Sequence, residues 1–334
     1  MRIARRHPVI VRALLTLGAA GLIGSASFHA QSRARRGAVQ DPGRTQAEET
    51  IVVGGTPRTY LIHDFSQGAA AAPLLIVLHG GGGNAQTAEE KTDFDRVAAR
   101  EHFIVVYPDG TARADRGPRA AARSRLLTWN AGHCCAAAMT DCADDVAFIS
   151  TLIDALTASD RTDRSRVYVT GMSNGAMMTE RLGRELSTKI AAIAPVAGAV
   201  FGDEPPPVAP VPALIIVGAD DHTIPPQGGA LQLRPGLGNR SAADRDVAPA
   251  IDQALYWAKY NGCDRPVRTA TAAWTKTEWT SCRSGAPVVF YDVNHNGHAW
   301  PGGRAGRRGA DEPTQAFDAT EAIWAFFTHS RRDR

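Results

Sequence analysis

The sequence predicts an α/β fold in which a mostly parallel central sheet is covered by helices on both faces. Short β-branched apolar runs, which are typical of buried strands, recur along the chain. Segments with apolar residues three and four positions apart lie between these runs and indicate helices. This alternation favours parallel strands joined by helical crossovers. The 334 residues, 44% of them hydrophobic and 21% charged, suffice for one large domain of this class.

Seven segments are predicted to be strands and four to be helices. The strands are RTYLIHDF, LLIVLHG, FIVVYPD, RVYVTGMS, IAAIAPVAG, ALIIVGADD and VVFYDVN, and the helices are AEEKTDFDRVAARE, DDVAFISTLIDALTA, NGAMMTERLGREL and APAIDQALYWAKYNG. Two irregular connections, residues 111–143 and 225–247, interrupt the alternation. Long connections of this kind usually carry substrate contacts.

The N-terminal 30 residues are predicted to be a secretory signal peptide. Four arginines precede a short apolar segment that runs into small residues, which is the order found in such peptides. The apolar segment is too short and too rich in Gly and Ser to favour a stable membrane anchor. Residues 31–48 are polar and are predicted to be a flexible leader, so one folded domain is expected over residues 49–330. The protein is therefore expected to be secreted or periplasmic.

The formal charge of +3 is a property of the N-terminus rather than of the predicted domain. Of 37 basic and 34 acidic residues, eight arginines and one aspartate lie before Gln46, which leaves 29 basic and 33 acidic residues. Nucleic acids bind basic surfaces, so no nucleic-acid partner is expected. No oligomeric state is predicted.

The five cysteines are predicted to form disulfides, because the protein is expected to be exported. Cys263 and Cys282 bracket a short segment and make the first predicted pair. Cys142 is expected to close a loop with Cys134 or Cys135, which leaves one thiol unassigned. No metal is expected, because adjacent cysteines lack the roughly two to four intervening residues of structural zinc sites.

The sharpest motif is Gly171-Met172-Ser173-Asn174-Gly175, which has the pattern G-x-S-x-G between a predicted strand and a predicted helix. In this pattern the serine lies on a strained turn that exposes its hydroxyl, and the flanking glycines relieve crowding. The backbone N–H of Asn174 is at a helix N-terminus, where it is placed to bind an oxyanion. Ser173 is therefore the predicted nucleophile.

A serine hydroxyl needs a base, and in this type of site the acid and then the histidine follow the serine along the chain. His298 follows a late strand in a loop rich in Gly and Pro and is the predicted base, with His295 as the second choice. Asp220 and Asp221 both lie at the end of an intervening strand, and both are candidates for the acid.

The run LLIVLHGGGGNAQT fits two functions. After a strand, Gly80-x-Gly82 resembles a dinucleotide-binding fingerprint, whereas His79-Gly80-Gly81 fits an oxyanion loop. A nucleotide-dependent oxidoreductase is not favoured, because the run is the second predicted strand and export separates the protein from cellular NAD. That interpretation also leaves the serine motif unexplained.

These motifs resemble the secreted esterases grouped with polyhydroxybutyrate depolymerases and feruloyl esterases, which are related to acetylxylan esterases. The resemblance extends from about Ile51 to Phe327 and rests on VLHGGGGNAQT, WNAGHCC, DDVAFISTLID, GMSNGAMM, VGADDHTIPPQGG and GHAWPGG, in that order. It implies an α/β-hydrolase catalytic domain over 49–330 and a serine carboxylic-ester hydrolase that forms an acyl-enzyme without a cofactor. It assigns the acid to Asp221 and an oxyanion donor to the N–H of Gly81.

Trp129 and Trp300 are candidates for substrate contact, because indole rings stack on aromatic acyl groups and sugars. Trp300 is equally suited to holding the histidine loop in place. The expected substrate is a hydroxyalkanoate oligomer or a plant cell-wall ester, with acetylxylan or another carbohydrate ester as the alternative. A non-catalytic binding protein on the same fold is a distant alternative, because Ser173 and His298 are both present.

Overall fold

The computed structural model describes residues 45–68, 71–112, 126–158, 161–232, 245–306 and 309–332. The predicted signal peptide lies outside these ranges, and so does the predicted leader up to residue 44. Residues 45–48, which the sequence assigned to the leader, belong instead to the first strand.

Ten strands form one sheet that is parallel in its centre and antiparallel at both edges. With the two strands of a smaller sheet, the strands of the described residues number twelve: β1 (Thr45–Val53), β2 (Thr56–Asp64), β3 (Ala72–Leu78), β4 (Ile104–Pro108), β5 (Thr162–Met172), β6 (Ala192–Val196), β7 (Ala213–Gly218), β8 (Gly229–Ala230), β9 (Asp246–Val247), β10 (Val267–Ala270), β11 (Trp274–Trp279) and β12 (Val288–Val293). The large sheet has the order β1-β2-β4-β3-β5-β6-β7-β12-β11-β10, and β8 pairs with β9 separately. All seven predicted strands lie in the large sheet.

Helices connect most of the parallel strands. The helices of the described residues are α1 (Ala85–Thr92), α2 (Phe94–Glu101), α3 (Ala136–Thr140), α4 (Asp145–Thr157), α5 (Asn174–Glu185), α6 (Ile251–Tyr260) and α7 (Ala319–Thr328). All except α7, which follows β12, lie between strands of the parallel centre. The single helix predicted across α1 and α2 is wrong, because Asp93 adopts φ 53° and ends the first helix. Aspartate tolerates this left-handed conformation better than most residues. Within the described ranges, none of the helices has the length and apolar character needed to cross a bilayer.

The central strands are buried on both faces, and their alternating side chains enter two separate cores. Leu74 and Ile76 of β3 pack in the core that also contains α4, α5 and α6. Leu75 and Val77 point to the opposite core, which contains α1, α2 and α7. The predicted sheet with helices on both faces is therefore confirmed. Its parallel centre brings the carboxyl ends of β3, β5, β7 and β12 to one edge.

Disulfide pairing agrees with one expectation and corrects the other. Cys263 and Cys282 form the predicted bridge. Cys134 is bonded to Cys135, however, and Cys142 is a free, exposed thiol. Cys135 immediately precedes α3, and Cys142 lies beyond the C-terminal end of this helix. The helix therefore separates the Cys142 thiol from the sulfur atoms of Cys134 and Cys135.

Candidate active site

Ser173 occupies the turn between β5 and α5 at the carboxyl edge of the sheet. Its backbone has φ 57° and ψ −121°, which is outside the regions that residues with a Cβ favour. Its N–H donates to the carbonyl of Val196 on the neighbouring strand at 3.0 Å. A strained backbone of this kind persists only where the surrounding structure holds it.

The two glycines of the serine motif are required by the close packing of α5 on β3. A Cβ on Gly175 would lie 2.5 Å from the carbonyl oxygen of His79, and a Cβ on Gly171 would lie 2.6 Å from the carbonyl oxygen of Gly175. Real Cβ atoms do not approach a backbone that closely. The glycines therefore let α5, which follows Ser173, lie directly against the glycine loop, which is formed by residues 79–83.

His298 and Asp221 complete a hydrogen-bonded chain with the serine. Ser173 Oγ lies 2.8 Å from His298 Nε2, and His298 Nδ1 lies 2.7 Å from Asp221 Oδ2. The other carboxylate oxygen of Asp221 accepts the N–H groups of Thr223 and Ile224, each at 2.8 Å. With Nδ1–H donating to the carboxylate, Nε2 is free to accept the serine proton.

The structure distinguishes Asp221 and His298 from the alternative candidates Asp220 and His295. Asp220 and His295 lie 4.0 Å apart, with side chains that are 61% and 89% exposed. Asp221 is buried, and His298 is nearly so. The geometry thus distinguishes Asp221 from Asp220, which the residue pattern alone left open.

The two predicted oxyanion donors lie side by side next to the serine. Gly81 and Asn174 both border the cavity that contains Ser173 and His298. A Cβ on Gly81 would lie 3.6 Å from the Cβ of Asn174, so the glycine loop and the start of α5 are in contact. The two residues predicted to carry the oxyanion donors are therefore neighbours in the wall of the cavity that contains Ser173.

His79 supports the glycine loop as a neutral histidine. Its Nε2 accepts the N–H of Gly110 at 3.0 Å, so Nδ1 carries the proton and donates to the carbonyl of Gly80 at 2.9 Å. Burial lowers the pKa of His79 to about 4. The side chain therefore orients backbone and is not placed to transfer protons at neutral pH.

The substrate-contact role predicted for the two tryptophans is wrong. Trp129 is fully buried and donates its indole N–H to the carbonyl of His79 at 2.9 Å. Trp300 is also buried, and its indole donates to Thr320 Oγ1 at 2.9 Å. Neither side chain borders the cavity. Large apolar rings in these loops gain more by burial than by exposure, which favours the structural role considered for Trp300.

The cavity beside Ser173 has a volume of about 600 Å³, which lies in the range of small-molecule sites. The Cys134–Cys135 pair forms part of its wall. Its apolar lining includes Leu78, Met172, Met177 and Ile224, and its charged lining includes Glu90, Lys91, Arg304 and Asp311. An acyl chain with both apolar and polar parts would match this lining.

Two residues that hold the histidine loop were not found from the sequence. Asp311 Oδ2 accepts the backbone N–H of His298 at 2.6 Å. Buried Asn296 donates its side-chain amide to the carbonyl of Ala299 at 3.1 Å and accepts the N–H of Thr314 at 3.0 Å. No motif or periodicity marks either residue, because both act through backbone contacts formed only in the folded loop.

Among the described residues, His63, Glu89 and Asp95 bring three metal-ligand atoms within 4.8 Å of one another. His63 Nδ1 lies 2.7 Å from Asp95 Oδ2, and the hydroxyl of Tyr107 donates to Asp95 Oδ1 at 2.9 Å. These hydrogen bonds account for the burial of the histidine, and we assign no metal to the cluster.

Comparison with known proteins relates the chain to esterases. A family model described as esterase PHB depolymerase matches residues 60–217. The feruloyl esterase B of Piromyces equi is 32% identical over 244 residues, which are 72% of this chain and 42% of that protein. A putative esterase of Nocardia uniformis subsp. tsuyamanensis, NocK, is 31% identical over 277 residues, which are 78% of this chain and 75% of that protein. The match thus spans less than half of the feruloyl esterase but most of the putative esterase.

Solved structures share the fold. The acetyl xylan esterase from Aspergillus awamori superimposes with a TM-score of 0.53 at 16% identity, over 76% of this chain and 94% of that chain. At this identity the likeness extends to the fold alone, which is the predicted α/β-hydrolase fold.

Proposed function

The chain belongs to the esterase PHB depolymerase family, and we propose that it is a serine carboxylic-ester hydrolase whose nucleophile is Ser173. One observation carries the proposal: the hydrogen-bonded chain from Ser173 through His298 to Asp221, with heavy-atom distances of 2.8 and 2.7 Å. Ser173 and His298 border the cavity together with Gly81 and Asn174, whose backbone N–H groups we propose as the oxyanion donors. Nucleophile, base, acid and oxyanion donors are the parts that acyl transfer requires.

In the acylation step, Ser173 Oγ attacks the ester carbonyl carbon while its proton passes to Nε2 of His298. Asp221 holds the imidazole in the required tautomer and stabilises the positive charge that forms. The carbonyl oxygen becomes an oxyanion and accepts the N–H groups of Gly81 and Asn174, each of which we expect to contribute roughly 3 kcal/mol to transition-state stabilisation. The C–O bond then breaks, and His298 returns the proton to the departing alcohol.

In the deacylation step, a water molecule replaces the alcohol. His298 Nε2 takes one proton from the water as its oxygen attacks the acyl carbon, and the same N–H groups bind the second oxyanion. Collapse of this intermediate releases the carboxylic acid and returns the proton to Ser173 Oγ. The triad is thereby restored.

We propose hydroxyalkanoate oligomers or feruloyl-type plant esters as the substrate class. Feruloyl esterase B is among the relatives, and the cavity is larger and more apolar than an acetyl group requires. Acetylated carbohydrate is the alternative, supported by the fold likeness to an acetyl xylan esterase. A side-by-side assay on methyl ferulate, hydroxybutyrate oligomers and acetylated xylan tests this choice, and highest kcat/KM on acetylated xylan would reverse it.

The nucleophile is tested with Ser173→Ala and a fluorophosphonate probe. We expect the wild type to be labelled at Ser173 and to hydrolyse p-nitrophenyl esters, and the variant to lose both properties. Ser66→Ala is the matched control, because Ser66 is a buried serine that hydrogen-bonds Asp64 instead of a histidine. Unchanged ester hydrolysis by Ser173→Ala would refute the assignment.

We propose that the protein is exported, with residues 1–30 as the signal peptide. The support is the order of basic, apolar and small residues in this segment. N-terminal sequencing of the mature protein from the medium or periplasm is expected to find cleavage at or before residue 30. Recovery of protein beginning at Met1 only from the cytoplasm would contradict export.

A further inference from the structure

Asn174 and Trp129 are joined by contacts that the proposed chemistry does not use. Building on the proposed function, we propose that the Asn174 side chain and the Trp129 indole form an amide clamp that positions both oxyanion donors. The amide clamp consists of the Asn174 side-chain amide, the main chain and indole of Trp129, and the carbonyl of His79. These groups act through the backbone and not on the ester, so they are positioning groups.

The first half of the amide clamp fixes the donor that follows the serine. Asn174 Oδ1 accepts the backbone N–H of Trp129 at 2.7 Å, and Asn174 Nδ2 donates to the carbonyl of Trp129 at 3.0 Å. Two hydrogen bonds to one residue set both the position and the orientation of Asn174. Its own N–H belongs to the peptide unit after Ser173, where the backbone is strained at φ 57° and needs such support.

The second half fixes the glycine loop. The indole N–H of Trp129 donates to the carbonyl of His79 at 2.9 Å, and the His79 ring lies over the indole with ring centroids 4.9 Å apart. His79 directly precedes Gly80 and Gly81 in the chain. Trp129 is therefore bonded to both segments that carry an oxyanion donor.

These contacts are shielded from bulk water, because Trp129, Asn174 and His79 are only 0%, 3% and 2% exposed. Removal of one partner leaves the other buried and unpaired, which favours a shift of the backbone that carries it. Misplacement of a catalytic group by about 1 Å can lower a rate by about 100-fold. The distance between the two oxyanion donors therefore depends on the buried Trp129.

The amide clamp is expected to act on the transition state rather than on ester binding. Oxyanion donors bind the tetrahedral intermediate more strongly than the planar ester, so their alignment changes kcat more than KM. A trifluoromethyl ketone tests the same property in a stable adduct. Ser173 Oγ adds to the ketone carbon, the serine proton passes to His298, and the ketone oxygen becomes the oxyanion.

Three variants separate the amide clamp from general stability. Trp129→Phe removes the indole N–H, and Asn174→Ala removes both side-chain hydrogen bonds. Trp257→Phe is the matched control, because it removes an equally buried indole N–H, which donates to Glu180 at 2.7 Å, from a residue outside the cavity and the histidine loop. Each variant is examined by circular dichroism, steady-state kinetics on a p-nitrophenyl ester and inhibition by the trifluoromethyl ketone.

We expect Trp129→Phe and Asn174→Ala to lower kcat by about 10- to 100-fold while KM changes by less than about threefold. Affinity for the ketone is expected to fall by the same factor as kcat/KM. The double variant is expected to lose less than the product of the two single losses, because both act through Trp129. Trp257→Phe is expected to change each quantity by less than about threefold.

The proposal is overturned if folded Trp129→Phe and Asn174→Ala bind the ketone as tightly as the wild type. It is also overturned if Trp257→Phe loses as much affinity, or if the loss appears in KM alone. Should Trp129→Phe not fold, Asn174→Ala decides the question. Absence of fluorophosphonate labelling in the wild type would instead refute the proposed function, whereas a labelled wild type with unaffected variants refutes only the amide clamp.

Discussion

Asp221 and Glu180 are two carboxyl groups with nearly the same burial and opposite surroundings. Asp221 is 3% exposed and accepts two backbone N–H groups in addition to contacting His298. Glu180, on α5, is 1% exposed and accepts one hydrogen bond, from the indole of Trp257 at 2.7 Å. Arg184 Nη1 lies 4.0 Å from the same oxygen, Oε2, whereas Oε1 has no hydrogen-bond partner among the described residues.

The difference lies in the number of donors that face the negative charge. Burial raises the pKa of Glu180 to about 7, and the charge of Arg184 and the Trp257 N–H oppose this only in part. The carboxylate of Asp221 instead has donors on both oxygens, with the N–H groups of Thr223 and Ile224 on one and His298 on the other. One buried carboxyl group is thus hydrogen-bonded at both oxygens and contacts a histidine, whereas the other titrates near neutral pH.

The largest expected effect is that of Asp221→Asn. An amide keeps the shape but lacks the charge and favours the wrong histidine tautomer, so kcat is expected to fall by about 10⁴-fold. Asp220→Asn is the matched control, because this neighbouring carboxylate is exposed and lies 4.0 Å from His295. Steady-state hydrolysis of a p-nitrophenyl ester measures both variants, and equal losses would remove the distinction between the two aspartates.

The next effect is on stability and depends on pH. In the folded protein the pKa of Glu180 lies above its ordinary value of 4.5, so folding favours the protonated carboxyl group. The stabilisation that this group gives the folded state is fully present below about pH 4.5 and is lost as pH rises through about 7. The loss amounts to about 3 kcal/mol. Glu180→Gln is therefore expected to be more stable than the wild type at pH 8.5 and to lose this advantage at pH 4.5.

Urea unfolding of Glu180→Gln and the wild type at pH 8.5 and pH 4.5 measures the difference in their free energies of unfolding. Glu185→Gln is the control, because Glu185 lies on the same helix with a 40% exposed side chain beside Arg181. Its difference from the wild type is expected to stay nearly constant between the two pH values. A pH-independent difference for Glu180→Gln as well would mean that burial does not set the titration of Glu180.

The smallest effect concerns Asp292 on β12, a third carboxyl group. It is only half-buried, one of its oxygens has no hydrogen-bond partner among the described residues, and burial raises its pKa. Because the charged form is disfavoured, stability falls as pH rises, and Asp292→Asn is expected to increase the free energy of unfolding at pH 8 by less than about 1 kcal/mol. Thermal melting of the variant and the wild type at pH 8 and pH 4 measures this difference in stability. If Asp292→Asn is destabilised at pH 8, the carboxylate of Asp292 stabilises the fold at that pH, in contrast to Glu180.

Several elements could be predicted from the sequence because their signals are local. The central strands are nearly continuous apolar runs, and Ser173 lies in a motif whose glycines are required by close packing. The edge strands β1, β10 and β11 were missed, because partly exposed strands carry charged and polar residues and a weaker pattern. Helix α7 was not predicted either.

The sequence by itself determined the fold class and the order in which serine, acid and histidine occur, because strand periodicity and short motifs depend on neighbouring residues. Only the tertiary structure joined Asp221 to His298, joined Cys134 to Cys135 and buried Trp129 behind the oxyanion loop. These outcomes depend on which side chains meet across segments distant in the chain. Hydrogen-bond partners and burial, which arise only in the folded protein, separate residues that a sequence pattern treats as equivalent.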